Sequence, residues 1–310
     1  MEQENKPIIE HISKFLQYLD IERGLSENTI MNYEGGIRRF GEWLDISGKK
    51  ELRPYELTKD DIWQFRVYLS ERLDRRGNLT SKQTQNYPLG SLRALLDYFS
   101  AMDIPSLSSK KVVLSKEDRR EGKLKFLELE QVNKLLDSPD IETEKGVRDK
   151  VILEIFFSTG LRVSELAALN KNQFESIWSH EDFELTIIGK GGYGRIVFFS
   201  KSATYWIKEY LKYRHDHEEP LIINYKSGVK GSNRLTTRSI ERLVRKYTKK
   251  VGLPEFVTCH TLRHSYATNL LSQGVDLRSI QEFLGHRNIA TTQIYTHVTN
   301  KQLRDTHRRI

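Results

Sequence analysis

One cysteine, Cys259, stands among 310 residues, so no intramolecular disulfide can form and the chain suits a reducing compartment. No apolar run approaches the roughly 18 residues a membrane helix needs; VILEIFF at 151–157 is among the longest. The opening stretch, MEQENKPIIE, has neither the basic flank nor the apolar core of a signal peptide, and a cytoplasmic location is expected. What is present is an ordinary globular balance: 37% hydrophobic and 30% charged residues exclude a disordered or fibrous chain.

The net charge of +8 is unevenly spread. Residues 1–105 carry 15 basic and 17 acidic side chains, whereas the rest carry 35 and 25, which is +10. A polyanion is therefore expected to be gripped mainly by the carboxyl-terminal two thirds. Charge alone is equally compatible with an ordinary basic surface.

The first hundred residues show helical periodicity and little else. Ile9, Ile12, Phe15, Leu16 and Leu19 share the spacing of one helix face over 8–22. Ser26 is positioned to cap a second helix burying Ile30, Tyr33, Ile37, Phe40 and Leu44. Thr58 and Asp61 form the pattern of a capping box ahead of Ile62, Phe65, Leu69 and Leu73. A fourth helix is expected over 81–102, kinked or divided at Pro88.

From 105 to 125 the periodicity stops, and seven basic residues face three acidic ones. This composition predicts an exposed linker suited to lie across DNA. Helices resume over 128–136 and 147–157, Gly160 ends the second, and Arg162 begins a short third. FELTIIGK and RIVFFS flank GGYG, a hairpin signal with Lys190 at its shoulder, and LIINY at 221–225 suggests another short strand. Thr236 or Thr237 caps a basic helix whose Ile240, Leu243, Val244 and Tyr247 face inward. Arg238, Arg242, Arg245, Lys246 and Lys249 are left for a DNA groove or backbone, or simply for water.

The stretch HTLRHSYATNLLSQGVDLRSIQEFLGHRNIATTQIY, 260–295, concentrates residues no core needs. His260 and Arg263, three apart, project from one helix face. Zinc is disfavoured: HTLRH lacks the carboxylate of the metalloprotease pattern, and Arg263 would repel a divalent cation. Arginine, histidine and tyrosine together suit an anion under attack. Two guanidinium forks, Arg162 and Arg263, can neutralise a pentacoordinate phosphoryl transition state. The Tyr295 hydroxyl becomes a nucleophile only where cations favour its phenolate.

These residues resemble the tyrosine recombinases of the phage-integrase family, most of all the short Xer-type members. GLRVSEL matches the family's first arginine motif with Arg162 and Glu165, and IIGKGGYGR supplies the hairpin lysine, Lys190. HTLRH is the H-x-x-R box with His260 and Arg263, LGHRNIATT holds His286, and QIYTHV holds Tyr295 nine residues later. A lone H-x-x-R carries little weight, but six matched positions in order carry a great deal.

The resemblance implies a mainly α (α+β) fold. An amino-terminal, SAM-like helical core-binding bundle spans 1–104, a basic linker 105–124, and a catalytic domain with a small antiparallel β-hairpin 125–310, together forming a C-shaped clamp around DNA. It also implies that Tyr295 forms a 3′-phosphotyrosyl bond and frees a 5′-hydroxyl, with no metal, ATP or other cofactor. Lys190 is then the general acid, His260 an acid/base partner, and His286 a donor to a non-bridging oxygen. Glu165 orients Arg162 or His260, or is a simple surface acid.

Double-stranded DNA with an inverted-repeat site is the implied partner. Four protomers, identical or paired with a paralogue, would assemble on it by docking the tail after Tyr295 into a neighbour. Resolution of chromosome or plasmid dimers through a Holliday junction is favoured, a DNA translocase being a possible licensing partner. Integration or excision of a mobile element, a type IB topoisomerase and a catalytically silent architectural protein are the alternatives.

Overall fold

The computed structural model describes residues 5–74, 77–115, 125–179, 182–189, 194–225 and 233–285. Lys190, His286 and Tyr295 lie outside the described residues. The chain divides into two compact units, Met1–Arg120 and Glu121–Ile310.

In the first unit a 3-10 turn at Ile8–His11 runs into α1 (Ile12–Ile21), followed by α2 (Glu27–Ile46), α3 (Lys59–Glu71) and α4 (Lys82–Ala101). Phe15, Ile37, Phe40, Leu44, Phe65, Leu92 and Phe99 are fully buried at its centre. Trp43, absent from the sequence-based inner face of α2, stacks on Phe40 at 5.5 Å and is buried as well. Ser26 holds the N-cap position of α2, but its hydroxyl pairs with that of Thr29 at 2.9 Å and not with a backbone N–H. The Thr58–Asp61 capping box does form, with Thr58 N–H donating to Asp61 Oδ2 at 2.8 Å and Asp61 N–H to Thr58 Oγ1 at 3.2 Å. Leu73 departs from expectation. The backbone turns extended at Arg72, and Leu73 lies outside α3, exposed, in an isolated antiparallel bridge with Leu79.

Pro88 neither ends nor divides α4, which is helical for 20 residues around it. An interior proline costs about 3 kcal/mol. Burying Leu89, Leu92, Leu95, Leu96 and Phe99 along the same helix is worth about 1.5–3 kcal/mol each and prevails. Close approach of α2 supports the site: a Cβ on Gly36 would lie 3.3 Å from Pro88 Cα and 2.2 Å from Ser91 Oγ.

Residues 105–115 leave Lys110 and Lys111 exposed, as their composition suggests, but the segment is anchored along the bundle. Ile104 and Val112 are buried in the bundle core, and Leu107 and Leu114 pack against it. The Asn86 side chain bonds both the N–H and the carbonyl of Ser115 at 2.9 Å. Apolar residues spaced too irregularly for a helix can still be buried by a coil lying along α4.

The second unit begins with α5 (Leu129–Leu136) and α6 (Glu144–Thr159). Nearly every face of α6 is buried, and its charges are satisfied internally: Arg148 on Asp149 at 2.6 Å, Lys150 on Glu154 at 3.0 Å, and Tyr247 hydroxyl donating to Asp149 at 2.9 Å. After α7 (Val163–Ala168) and a 3-10 segment at Lys171–Trp178, β1 (Phe183–Ile188) pairs antiparallel with β2 (Gly194–Phe199). Then follow α8 (Lys201–Lys212), α9 (Thr237–Lys250), α10 (Cys259–Ser272) and α11 (Leu277–Leu284).

The segment 221–225 is not a strand. Among the described residues its pairing is an isolated bridge, Ile223 opposite Arg234, with Asn224 N–H donating to Asn233 at 2.7 Å and Leu235 N–H to Ile222 at 3.1 Å. At the start of the segment the buried Arg214 guanidinium donates to the carbonyls of Pro220 at 3.0 Å and of Leu221. Among the described residues no helix is long and apolar enough to cross a membrane.

Candidate active site

Gly160 caps α6 in the left-handed region, φ 60°. Two constraints select glycine: the dihedral itself, and the Tyr266 ring, whose Cδ1 would sit 2.5 Å from a Cβ. The turn buries Leu161 and leaves Arg162 as the N-cap of α7. One turn later Glu165 reaches back, accepting the Arg162 N–H at Oε2 and its guanidinium at Oε1, both at 2.8 Å.

Arg263 arises from the first turns of α10, capped by Thr258, and is buried. Its guanidinium donates to Gly160 carbonyl at 2.7 Å and to Leu284 carbonyl at 2.5 Å. Arg162 also donates to Gly285 carbonyl at 3.2 Å. The terminal carbonyls of a helix lack intrahelical partners and carry its negative dipole end, so they are natural docking points for cations. Two arginines a hundred residues apart are thereby registered against one backbone segment, which immediately precedes His286.

Arg162, Arg263 and His260 line one cleft of about 550 Å³, together with Arg245, Glu241, Thr258 and Cys259. His260 is accessible, and the partial loss of water around it, followed by the charges of Arg263 and Arg162, lowers its pKa. Its ring meets that of His264 edge-on at 4.3 Å. Burial, then His260 and Arg263, pushes His264 down to about 4, which suits a packing role for that neutral ring. Among the described residues no three His, Cys, Asp or Glu side chains are placed to share a metal ion. Burial pushes the Cys259 thiol up to about 12, an unreactive state despite its position in the cleft wall.

Of the basic residues on α9, Arg238, Arg242, Arg245, Lys246 and Lys249 are all exposed, while Ile240, Leu243, Val244 and Tyr247 are buried. Arg245 alone among these five basic residues lines the cleft. Arg245 thus joins the cleft to the exposed basic side chains of α9.

Arg195 escaped the sequence-based reading. It lies on β2 with Val197 and Phe199, on the face whose apolar members are buried, and its side chain is 8% exposed. It grips Glu165 with both ends of its fork, at 3.0 and 2.7 Å. Strand alternation held the signal: a charged residue in phase with two core residues needs a buried partner. Burial alone would raise the Glu165 carboxyl, but hydrogen bonds from Arg195 and Arg162 outweigh it and hold the group at about 2.

The phage integrase family matches residues 125–302, and the family's N-terminal SAM-like domain matches residues 12–102. The chain belongs to the phage integrase family of tyrosine recombinases. The recombinase is 36% identical over 308 residues to tyrosine recombinase XerD of Listeria monocytogenes serotype 4b (strain F2365), covering 96% of this chain and 97% of the other. It is 33% identical to tyrosine recombinase XerC of Thermodesulfovibrio yellowstonii (strain ATCC 51303 / DSM 11347 / YP87), covering 94% and 93%. In fold it matches the solved structure of XerH site-specific recombinase bound to difH substrate, a pre-cleavage complex, with TM-score 0.76, 21% identity and 96% of each chain covered. Helical amino-terminal unit, catalytic unit and small antiparallel hairpin are the architecture of a tyrosine recombinase. The chain is a Xer-like, site-specific member.

Proposed function

We propose that this recombinase resolves chromosome or plasmid dimers by cutting and rejoining double-stranded DNA at an inverted-repeat site. The observation that carries the proposal is the convergence of Arg162, His260 and Arg263 on one cleft continuous with the basic face of α9. The near-full-length likeness to XerD and XerC proteins adds to it.

In the proposed reaction the two guanidiniums hold the non-bridging oxygens of the scissile phosphate. Tyr295 attacks phosphorus, forming a 3′-phosphotyrosyl bond as the bond to the 5′-oxygen breaks. Lys190 gives that oxygen its proton, His260 assists proton transfer, and His286 donates a hydrogen bond to the phosphate. Because the new ester conserves the energy of the old one, a 5′-hydroxyl from a partner duplex can reverse the step and pass the strands through a Holliday junction.

The division of labour assigns core binding to 1–104 with the packed 105–115 segment, catalysis to 125–310, and the connection to the basic stretch 116–124. A cytoplasmic tetramer on paired sites completes the proposal, each tail docking on its neighbour during chromosome partition before division. The test uses a nicked suicide duplex carrying a site that the protein selects from a random-sequence duplex pool, followed by denaturing electrophoresis. A covalent adduct is expected from the native chain and none from Y295F. Adduct-free native protein on a duplex it binds refutes the assignment.

A further inference from the structure

We infer that Arg195 is a positioning residue for strand cleavage: by bridging Glu165 and the end of α11, it fixes the orientation and net charge with which Arg162 faces the scissile phosphate. The inference rests on the proposed role of Arg162. It arises from three independent features of the fold.

The first is a shared carboxylate. Each Glu165 oxygen accepts two hydrogen bonds, Oε1 from the guanidiniums of Arg162 and Arg195, and Oε2 from the Arg162 backbone N–H and Arg195. An Arg162–Glu165 pair alone is neutral and offers a phosphodiester little. Adding Arg195 restores a net positive charge while keeping the carboxylate saturated, so Glu165 orients Arg162 without cancelling it.

The second is a ladder of carbonyls. Arg195 Nε donates to Phe283 at 3.0 Å, Arg263 to Leu284 at 2.5 Å and Arg162 to Gly285 at 3.2 Å. Three consecutive carbonyls at the end of α11 thus hold three guanidiniums, two of them lining the cleft. Arg195 is absent from the cleft lining and acts through the others. The third feature is the space made for it: a Cβ on Gly285 would stand 2.8 Å from Arg195 Cδ, and Gly285 itself is left-handed at φ 63°. A lysine cannot reproduce the contacts, because one ammonium cannot reach both carboxylate oxygens and the carbonyl in the geometry of a planar fork.

Among the described residues the charged and titratable groups around Glu165 are Arg162 at the N-cap of α7 and Arg195 on β2, with His260, Arg263 and Tyr266 behind them on α10. With Arg195 gone, burial is opposed by Arg162 only, and the Glu165 carboxyl rises. Protonation would then free Arg162 from its anchor at a pH where the native site is intact.

The experiment is single-turnover cleavage of the nicked suicide duplex by the full chain, R195A, R195K, E165Q and R195A/E165Q from pH 5 to 9. DNA binding and near-ultraviolet circular dichroism are measured alongside. Cleavage by folded R195A is expected to fall about 100-fold, the scale of a misplaced catalytic group, with binding retained. The acid limb should move to higher pH in R195A, should not respond to R195A in the E165Q background, and the double variant should match the worse single. R195K, which keeps the charge, should fall between native and R195A, and it supplies the same readings if R195A does not fold. Native-like rates, a loss uniform across pH, or additive losses overturn the inference. Absence of any adduct from the native chain instead refutes the proposed function beneath it.

Discussion

Glu165→Gln is the most direct probe of the buried charge cluster, because it preserves shape and removes one negative charge from between Arg162 and Arg195. The carboxyl is held at about 2 against an ordinary 4.5, a difference of about 3 kcal/mol. Breaking a buried ion pair by removing one partner costs about 3–5 kcal/mol, which agrees. Glu165 is depressed in the folded state, so its contribution is complete above the unfolded value and is lost as pH falls through the folded one. The native chain should therefore exceed E165Q by about 3 kcal/mol at pH 7. That margin should shrink below pH 4.5 and approach zero near pH 2. Urea unfolding read by hydrogen exchange in peptides covering 162–168 and 195–199 isolates the catalytic unit from the amino-terminal one. Other carboxylates titrate equally in both proteins and cancel in the difference. A margin below about 1 kcal/mol at pH 7, or one that does not change with pH, refutes the reasoning.

Three further outcomes follow from the same geometry. Gly160→Ala combines a left-handed dihedral, about 1–2 kcal/mol for a residue with a Cβ, with a clash against Tyr266 worth about 1–3 kcal/mol. Urea unfolding should show a loss between those sums, and cleavage should fall because the Gly160 carbonyl also anchors Arg263. His260 should titrate below the ordinary histidine value in NMR spectra of the free protein, and R162Q should raise its midpoint by removing one repelling cation. On α9, R245Q should reduce cleavage as well as binding because Arg245 lines the cleft. R238Q should weaken binding alone, and each loss of a phosphate contact should lower the salt slope by about one.

Much of this fold is legible in the sequence. Local rules place the Thr58 cap, narrow that of α9 to Thr236 or Thr237, and place the Gly160 break, the hairpin flanks and the inward face of α9, since each depends on residues within one or two turns. Pro88 misleads because its local penalty is visible in sequence, whereas the burial of Leu92, Leu95 and Phe99 in the bundle core is not. Residues 105–115 look like linker because irregular spacing hides Val112 and Leu114, which find the bundle only once α4 exists. The short segment at 221–225 has strand-forming composition, yet its backbone pairing with 233–235 stays an isolated bridge, and Arg214 occupies the carbonyls of Pro220 and Leu221 just before it.

For the site itself, the sequence alone determined the chemistry: which side chains could bind a phosphodiester, and the spacing that puts His260 and Arg263 on one face of a helix. Only the tertiary structure decided how Arg162 joins them. It does so through Gly160, which turns the chain and offers a carbonyl to Arg263, and through the end of α11, whose unpaired carbonyls receive three arginines. For Arg195 the sequence signals the need for a buried partner, and the tertiary structure decides which. Its partners, Glu165 and Phe283, are 30 and 88 residues away, and no local pattern encodes which buried carboxylate a strand arginine will meet.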